Sequence, residues 1–123
     1  EKLQEQIDKI KDIEIKQKLK SFGDGKKNKE EIMYYFIANK ESCKGNAIEK
    51  FCEILNIDLK NTIAIGDDYN DISMFKVVGH SVVMENANNE VKKYADEITM
   101  SNERDGVAIF LENLLKKFDN NKI

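Results

Sequence analysis

The stretch IAIGDDYNDISMF, residues 63–75, decides how the chain is read. An apolar run ends at Gly66, and Asp67, Asp68, Asn70 and Asp71 crowd into the next five residues. The run is short and rich in isoleucine, which predicts a buried strand. Gly66 is expected to let the backbone leave that strand sharply. Carboxylates set so close repel one another unless a positive group sits among them. In a parallel α/β sheet, ligands collect beyond the carboxyl ends of the strands, which is where these aspartates fall. Two readings of the residues stand. One is a site for a hard cation such as Mg²⁺, which takes one or two carboxylates together with waters and substrate phosphate oxygens. The other is a polar turn whose Asp and Asn side chains cap the next helix.

The segments downstream alternate in kind. NAIEKFCEIL (46–55) predicts a helix burying Ala47, Ile48, Phe51, Cys52 and Leu55. NDISMFKVV (70–78) predicts a helix, SVVM (81–84) a strand, NEVKKYA (89–95) a helix and EIT (97–99) a short strand. GVAIFLENLLKKF (106–118) predicts a closing helix with Val107, Leu111, Leu114 and Phe118 on one face. Such alternation in short units means an α/β fold with parallel strands and helices on both faces. Upstream the pattern differs. Residues 1–20 read as an amphipathic helix through Leu3, Ile7, Ile10, Ile13 and Leu19, although KIKDIEIK also alternates as a strand would. FGDGKKNKEE (22–31) is turn material, and IMYYFIA (32–38) predicts a strand. Residues 42–123 thus form a half-sheet, and the first forty belong to something different.

Composition narrows the function classes. The chain of 123 residues is 41% hydrophobic and 35% charged, with neither proline nor tryptophan. That is enough for a core in one domain or part of one. A net charge of −3, with basic and acidic residues interspersed, gives no groove for a polyanion, so no nucleic-acid partner is expected. No apolar run would span a bilayer and no signal peptide is visible, so no membrane partner is expected either. Cys43 and Cys52 match no zinc spacing and read as reduced thiols of a cytoplasmic protein. The first residue is Glu1 rather than methionine, as in an excised or processed product or a piece of a longer protein.

The wording of the acidic stretch goes further than its composition. GDDYND is similar to the last motif, Gly-Asp-x-x-Asn-Asp, of the haloacid dehalogenase-like phosphohydrolases. More narrowly, four stretches in order resemble the C-terminal half of a Cof-type phosphatase. They are CKGNAI (43–48), GDDYNDISMF (66–75), VVMENANNEVKKYAD (82–96) and SNERDGVA (101–108). The resemblance implies a partial Rossmann-like parallel sheet with flanking helices, plus a remnant of the family's cap domain. Residues 1–41 would be the end of the α/β cap and its return linker, and 42–123 the second half of the core.

The resemblance also implies roles. Asp67 would ligate Mg²⁺, and Asn70 would hydrogen-bond the substrate phosphate. Asp71 would orient the lysine or a water, and Asp68 would lie outside direct metal contact. Lys44 would bind phosphate, entering a helix N-terminus whose N–H groups and dipole also favour anions. The implied activity is Mg²⁺-dependent hydrolysis of a small phosphorylated metabolite, such as a sugar phosphate, through an aspartyl-phosphate. The family's attacking aspartate follows an apolar strand as Asp-x-Asp-Gly-Thr. No such motif is visible, since Asp8 and Asp12 sit among charges and Asp24 lies in GDG without a strand. The second motif's Ser or Thr has no counterpart either. Glu85 stands where the family usually has glycine, and Cys43 where serine is common. P-type ion pumps carry a similar Gly-Asp-Gly-x-Asn-Asp loop and sugar-acid phosphatases a Gly-Asp-Asp loop, but KGNA and SNERDGVA favour the Cof type.

The rival class is a non-catalytic phosphate- or metal-binding fragment or subunit that must associate with another segment. An incomplete sheet would favour self-association. Three further features have plain readings: His80 as a loop residue before a strand, Tyr34–Tyr35 as cap-strand packing, and Asp105–Gly106 as the start of the last helix; Asn86 reads equally as a residue lining the site or as a turn asparagine.

Overall fold

The computed structural model describes residues 2–22 and 31–120. They fall into two compact units, Glu1–Ser42 and Cys43–Ile123. The turn expected across residues 22–31, with Asp24, lies almost wholly outside the described residues.

In the first unit, helix α1 (Lys2–Asp8) is followed by strand β1 (Ile13–Phe22), which pairs antiparallel with β2 (Glu31–Asn39). The helix expected over residues 1–20 therefore stops at Asp8. Asp12 takes a left-handed backbone with φ of 67°, a conformation that aspartate tolerates and that no helix continues through. Beyond it the alternation in IEIK prevails, because Ile13 and Ile15 find partners in Asn39 and Ile37 of β2. The register slips between Ile15 and Gln17, leaving Lys16 as an extra residue. Its ammonium donates to the Lys40 carbonyl at 2.6 Å and to Glu14 at 2.7 Å. Met33 through Ile37 on β2 are all exposed, and successive strand residues alternate sides, so β2 carries exposed apolar side chains on both its faces. Tyr34 and Tyr35 are accordingly half-exposed rather than packed.

The second unit is a parallel sheet of β3 (Ile63–Gly66), β4 (His80–Met84) and β5 (Glu97–Thr99), in the order β3-β4-β5. Ser81, Val82, Val83 and Met84 are all buried, so both faces of the central strand are covered. The outer strands are not, and Ile63 and Ile98 stay exposed. Ala64, Phe75, Val83, Ala87 and Val91 form the core, with Ile72, Met74, Val78 and Ala95 against it. Among the described residues four helices accompany the sheet: α2 (Lys44–Leu55), α3 (Ile72–Phe75), α4 (Asn89–Lys92) and α5 (Gly106–Asn120). Among the described residues no helix is long and apolar enough to cross a membrane.

Two helices present faces other than those expected. On α2 only Gly45 and Cys52 are buried, while Phe51, Ile54 and Leu55 are exposed. On α5 Phe110 turns inward, where its ring stacks at 17° on His80, and Leu114 is half-buried. That rotation leaves Val107, Leu111, Leu115 and Phe118 outside. His80 is the first residue of β4 and bonds Glu97 on β5 at 2.8 Å. Gly106 opens α5 as expected, after Asp105 in the left-handed region with φ of 55°.

Candidate active site

Strand β3 ends at Gly66, and the next five residues fold into a tight turn, with a 3₁₀ helix at Tyr69–Asp71. Its carboxylates divide the work. Asp68 caps the turn: its side chain accepts from the Tyr69 N–H at 2.7 Å, and it shares a reciprocal capping box with Asp71. Asp71 is buried, and its Oδ2 accepts the N–H groups of Asp67 and Asp68 at 2.8 and 3.0 Å. Its other oxygen, Oδ1, accepts from the Lys44 ammonium at 2.5 Å. Burial alone would raise the Asp71 pKa. The Lys44 hydrogen bond and the two backbone bonds outweigh it and hold the carboxyl below its ordinary value of 3.8. Asp71 is therefore an anion that ties its own loop to the start of α2. The capping reading holds for Asp68, and the positive group set against Asp71 is the Lys44 ammonium.

Gly66 serves this arrangement by its size, not by backbone freedom, because no glycine among the described residues has a positive φ. A Cβ at position 66 would lie 2.5 Å from Asp71 Oδ2 and 2.6 Å from its Cγ. Lys44 is the first residue of α2, where the expected helix N-terminus puts it. Cys43 is the N-cap, and its Sγ accepts the Asn46 N–H at 3.5 Å. Gly45 donates its N–H to Ser73 Oγ at 3.1 Å, a contact from α2 to α3 that sequence inspection missed. Twenty-eight positions separate the pair, and neither residue type announces it.

The remaining candidates are open to solvent. Asp67 and Asn70 are exposed, and among the described residues no hydrogen bond or ion pair reaches either side chain. Glu85 is exposed just past β4, its N–H held by the Thr99 carbonyl at 3.0 Å. Asn86 accepts the Asn102 N–H at 2.9 Å and so joins the loops that follow β4 and β5. Cys43 and Cys52 are free thiols.

Among the described residues no group of three or more His, Cys, Asp or Glu side chains is arranged to hold a metal ion. One exposed carboxylate, Asp67, beside a carboxylate already committed to other donors is nevertheless a donor set that suits Mg²⁺. That ion keeps most of its waters and completes its shell with substrate oxygens.

Known proteins resemble this chain in sequence and in fold. Over 74 residues the chain is 46% identical to 5-amino-6-(5-phospho-D-ribitylamino)uracil phosphatase YwtE of Bacillus subtilis, a match over 60% of this chain and 26% of that protein. The structure of a haloacid dehalogenase-like hydrolase from B. subtilis superposes with a TM-score of 0.67 at 29% identity, covering 89% of this chain and 34% of the other. A sugar phosphatase of the same superfamily gives a TM-score of 0.65 at 25% identity, covering 89% and 38%. The chain thus spans between about a quarter and two-fifths of these relatives. The profile of the haloacid dehalogenase-like hydrolases matches residues 1–111. The motifs, the partial parallel sheet and the profile agree, and the chain belongs to the haloacid dehalogenase-like hydrolase family.

Proposed function

We propose that the chain supplies the lysine and acidic-loop half of a Mg²⁺-dependent phosphatase acting on a small phosphorylated metabolite such as a sugar phosphate. The observation that carries this reading is the Lys44–Asp71 pair at 2.5 Å, set at the carboxyl end of β3 beside the exposed Asp67. Phosphoryl transfer needs fixed positive charge against the phosphate oxygens and a donor that orients them. Lys44 provides the charge, and Asp71 accepts a hydrogen bond from its ammonium. The free amide of Asn70 can donate to a phosphate oxygen. Asp67 is the carboxylate that would hold Mg²⁺, which when bound neutralises phosphate charge. The attacking aspartate comes from a segment outside this sequence, and residues 1–41 are the end of the cap domain.

A second reading rests on a different observation. Phe51, Ile54, Leu55 and Ile57 are exposed at and just beyond the end of α2, and Ile63 on the edge strand β3. Such a surface fits a non-catalytic phosphate- or metal-binding subunit that associates with another segment. Two measurements on the purified chain test the pair. Inorganic phosphate in Mg²⁺ buffer is expected to shift the amide signals of residues 44–46 and 67–71, and Lys44→Met and Asp67→Asn to weaken the effect. Hydrolysis of an aryl phosphate is expected to stay at the level of Asp67→Asn. Turnover that Asp67→Asn abolishes would mean that the chain carries its own nucleophile. Absence of any phosphate response would refute the site.

A further inference from the structure

We infer that Ser73 is a positioning residue that fixes Lys44 over the acidic loop; only the purpose of Lys44 rests on the phosphatase reading. A lysine on a four-carbon stem, with its side chain half-exposed, is poorly fixed by one ion pair. What fixes it is the backbone from which it springs. Gly45, the next residue, donates its N–H to Ser73 Oγ at 3.1 Å. Its α-carbon also rests on the Ser73 carbonyl, so closely that a Cβ would meet that oxygen well inside contact distance.

The first turn of a helix leaves N–H groups without intrahelical partners. The cap residue Cys43 gives its sulfur to Asn46 and its carbonyl to Ala47, and neither serves Gly45. Ser73 takes that donor from across the fold. It stands two residues after Asp71, so Lys44–Asp71 and Gly45–Ser73 are adjacent links between the same two segments. One link is a pivot. Two links fix the direction in which α2 starts, and hence where the Lys44 ammonium can reach. Ser73 acts on the site through Gly45 and the α2 backbone.

The test uses the ¹⁵N-labelled chain and two readouts. The first is the side-chain ammonium resonance of Lys44, assigned by its loss in Lys44→Met, which persists in slow exchange only when the group is held. The second is the affinity for inorganic phosphate in Mg²⁺ buffer. Ser73→Ala is expected to abolish the ammonium signal and to weaken phosphate binding by roughly threefold to tenfold, the range for one lost hydrogen bond. Ser73→Thr, which keeps the hydroxyl, is expected to restore both. A Lys44 signal unchanged in Ser73→Ala, or absent from the unmutated chain, would overturn the inference. So would failure of Ser73→Thr to restore it. If Ser73→Ala does not fold, exchange of the Gly45 amide in the unmutated chain decides. Slow exchange supports the bond to Ser73, and exchange at the rate of an open amide overturns it. A chain that binds no phosphate but keeps the ammonium signal would sink the phosphatase reading and leave the role of Ser73 standing.

Discussion

Replacing Asp71 by alanine asks how much the acidic loop owes to one carboxylate. Three donors lose their acceptor: the N–H groups of Asp67 and Asp68 and the Lys44 ammonium. Hydrogen bonds to a charged partner contribute about 1.5–3 kcal/mol each. The two amides belong to exposed residues and can recover water, so the lower end applies to both. The lysine side chain is 50% exposed, and its ammonium can return to solvent, so that link adds less than about 1 kcal/mol. The expected loss is therefore about 3–4 kcal/mol, most of it from backbone bonds. Urea unfolding at neutral pH measures it as a lowered midpoint at unchanged slope. Lys44→Met is the companion variant, and its expected cost is under about 1 kcal/mol. A loss below about 1 kcal/mol for Asp71→Ala would refute the reasoning, as would equal losses in the two variants.

Three further outcomes follow from the same geometry. Asp71 has a folded pKa below 3.8, so its contribution to stability is complete above that value and is lost as pH falls through the lower folded value. Asp96 is depressed too, through bonds from the Ser81 N–H and hydroxyl. Acid unfolding of Asp96→Asn should therefore keep an Asp71-dependent step that Asp71→Asn removes. Gly66→Ala would drive a Cβ into the Asp71 carboxylate and is expected to destabilise by about 1–3 kcal/mol in the same urea assay; a neutral substitution would show that Asp71 can move aside. Phe51→Lys with Ile54→Lys should abolish any concentration-dependent association seen by sedimentation, whereas unchanged association would place the contact elsewhere.

Much of the second unit was legible because its signals are local. An apolar run ending in Gly66 and acidic residues marked β3 and its loop, and lysine before glycine marked the start of α2. What escaped depends on partners far along the chain. Residues 9–16 carry a pattern that helix and strand can both use, and pairing with β2 settles it from Ile13 onward. The facing of α5 is decided by His80 against Phe110, so the stripe through Val107 and Leu111 looked like the inner face and is the outer one. Gly66 is set by its missing side chain, which makes room for Asp71, and that partner is invisible in the local sequence. Ser73 carried no signal, because a serine two positions past an aspartate looks the same whether or not a glycine meets it.

The Lys44–Asp71 pair also bears on the order in which the chain folds. Its members lie 27 positions apart, and closing a loop of that length in a flexible chain costs about 3 kcal/mol. A half-exposed ion pair offsets at most about a third of that. The contact cannot nucleate folding; it forms after the packing of α2 on α3 has already closed the loop. The lysine ammonium is for this reason a late clock. In a refolding experiment its signal should lag behind burial of Val82 and Val83, and any intermediate with a collapsed core but no paired lysine should lack the capacity to hold phosphate.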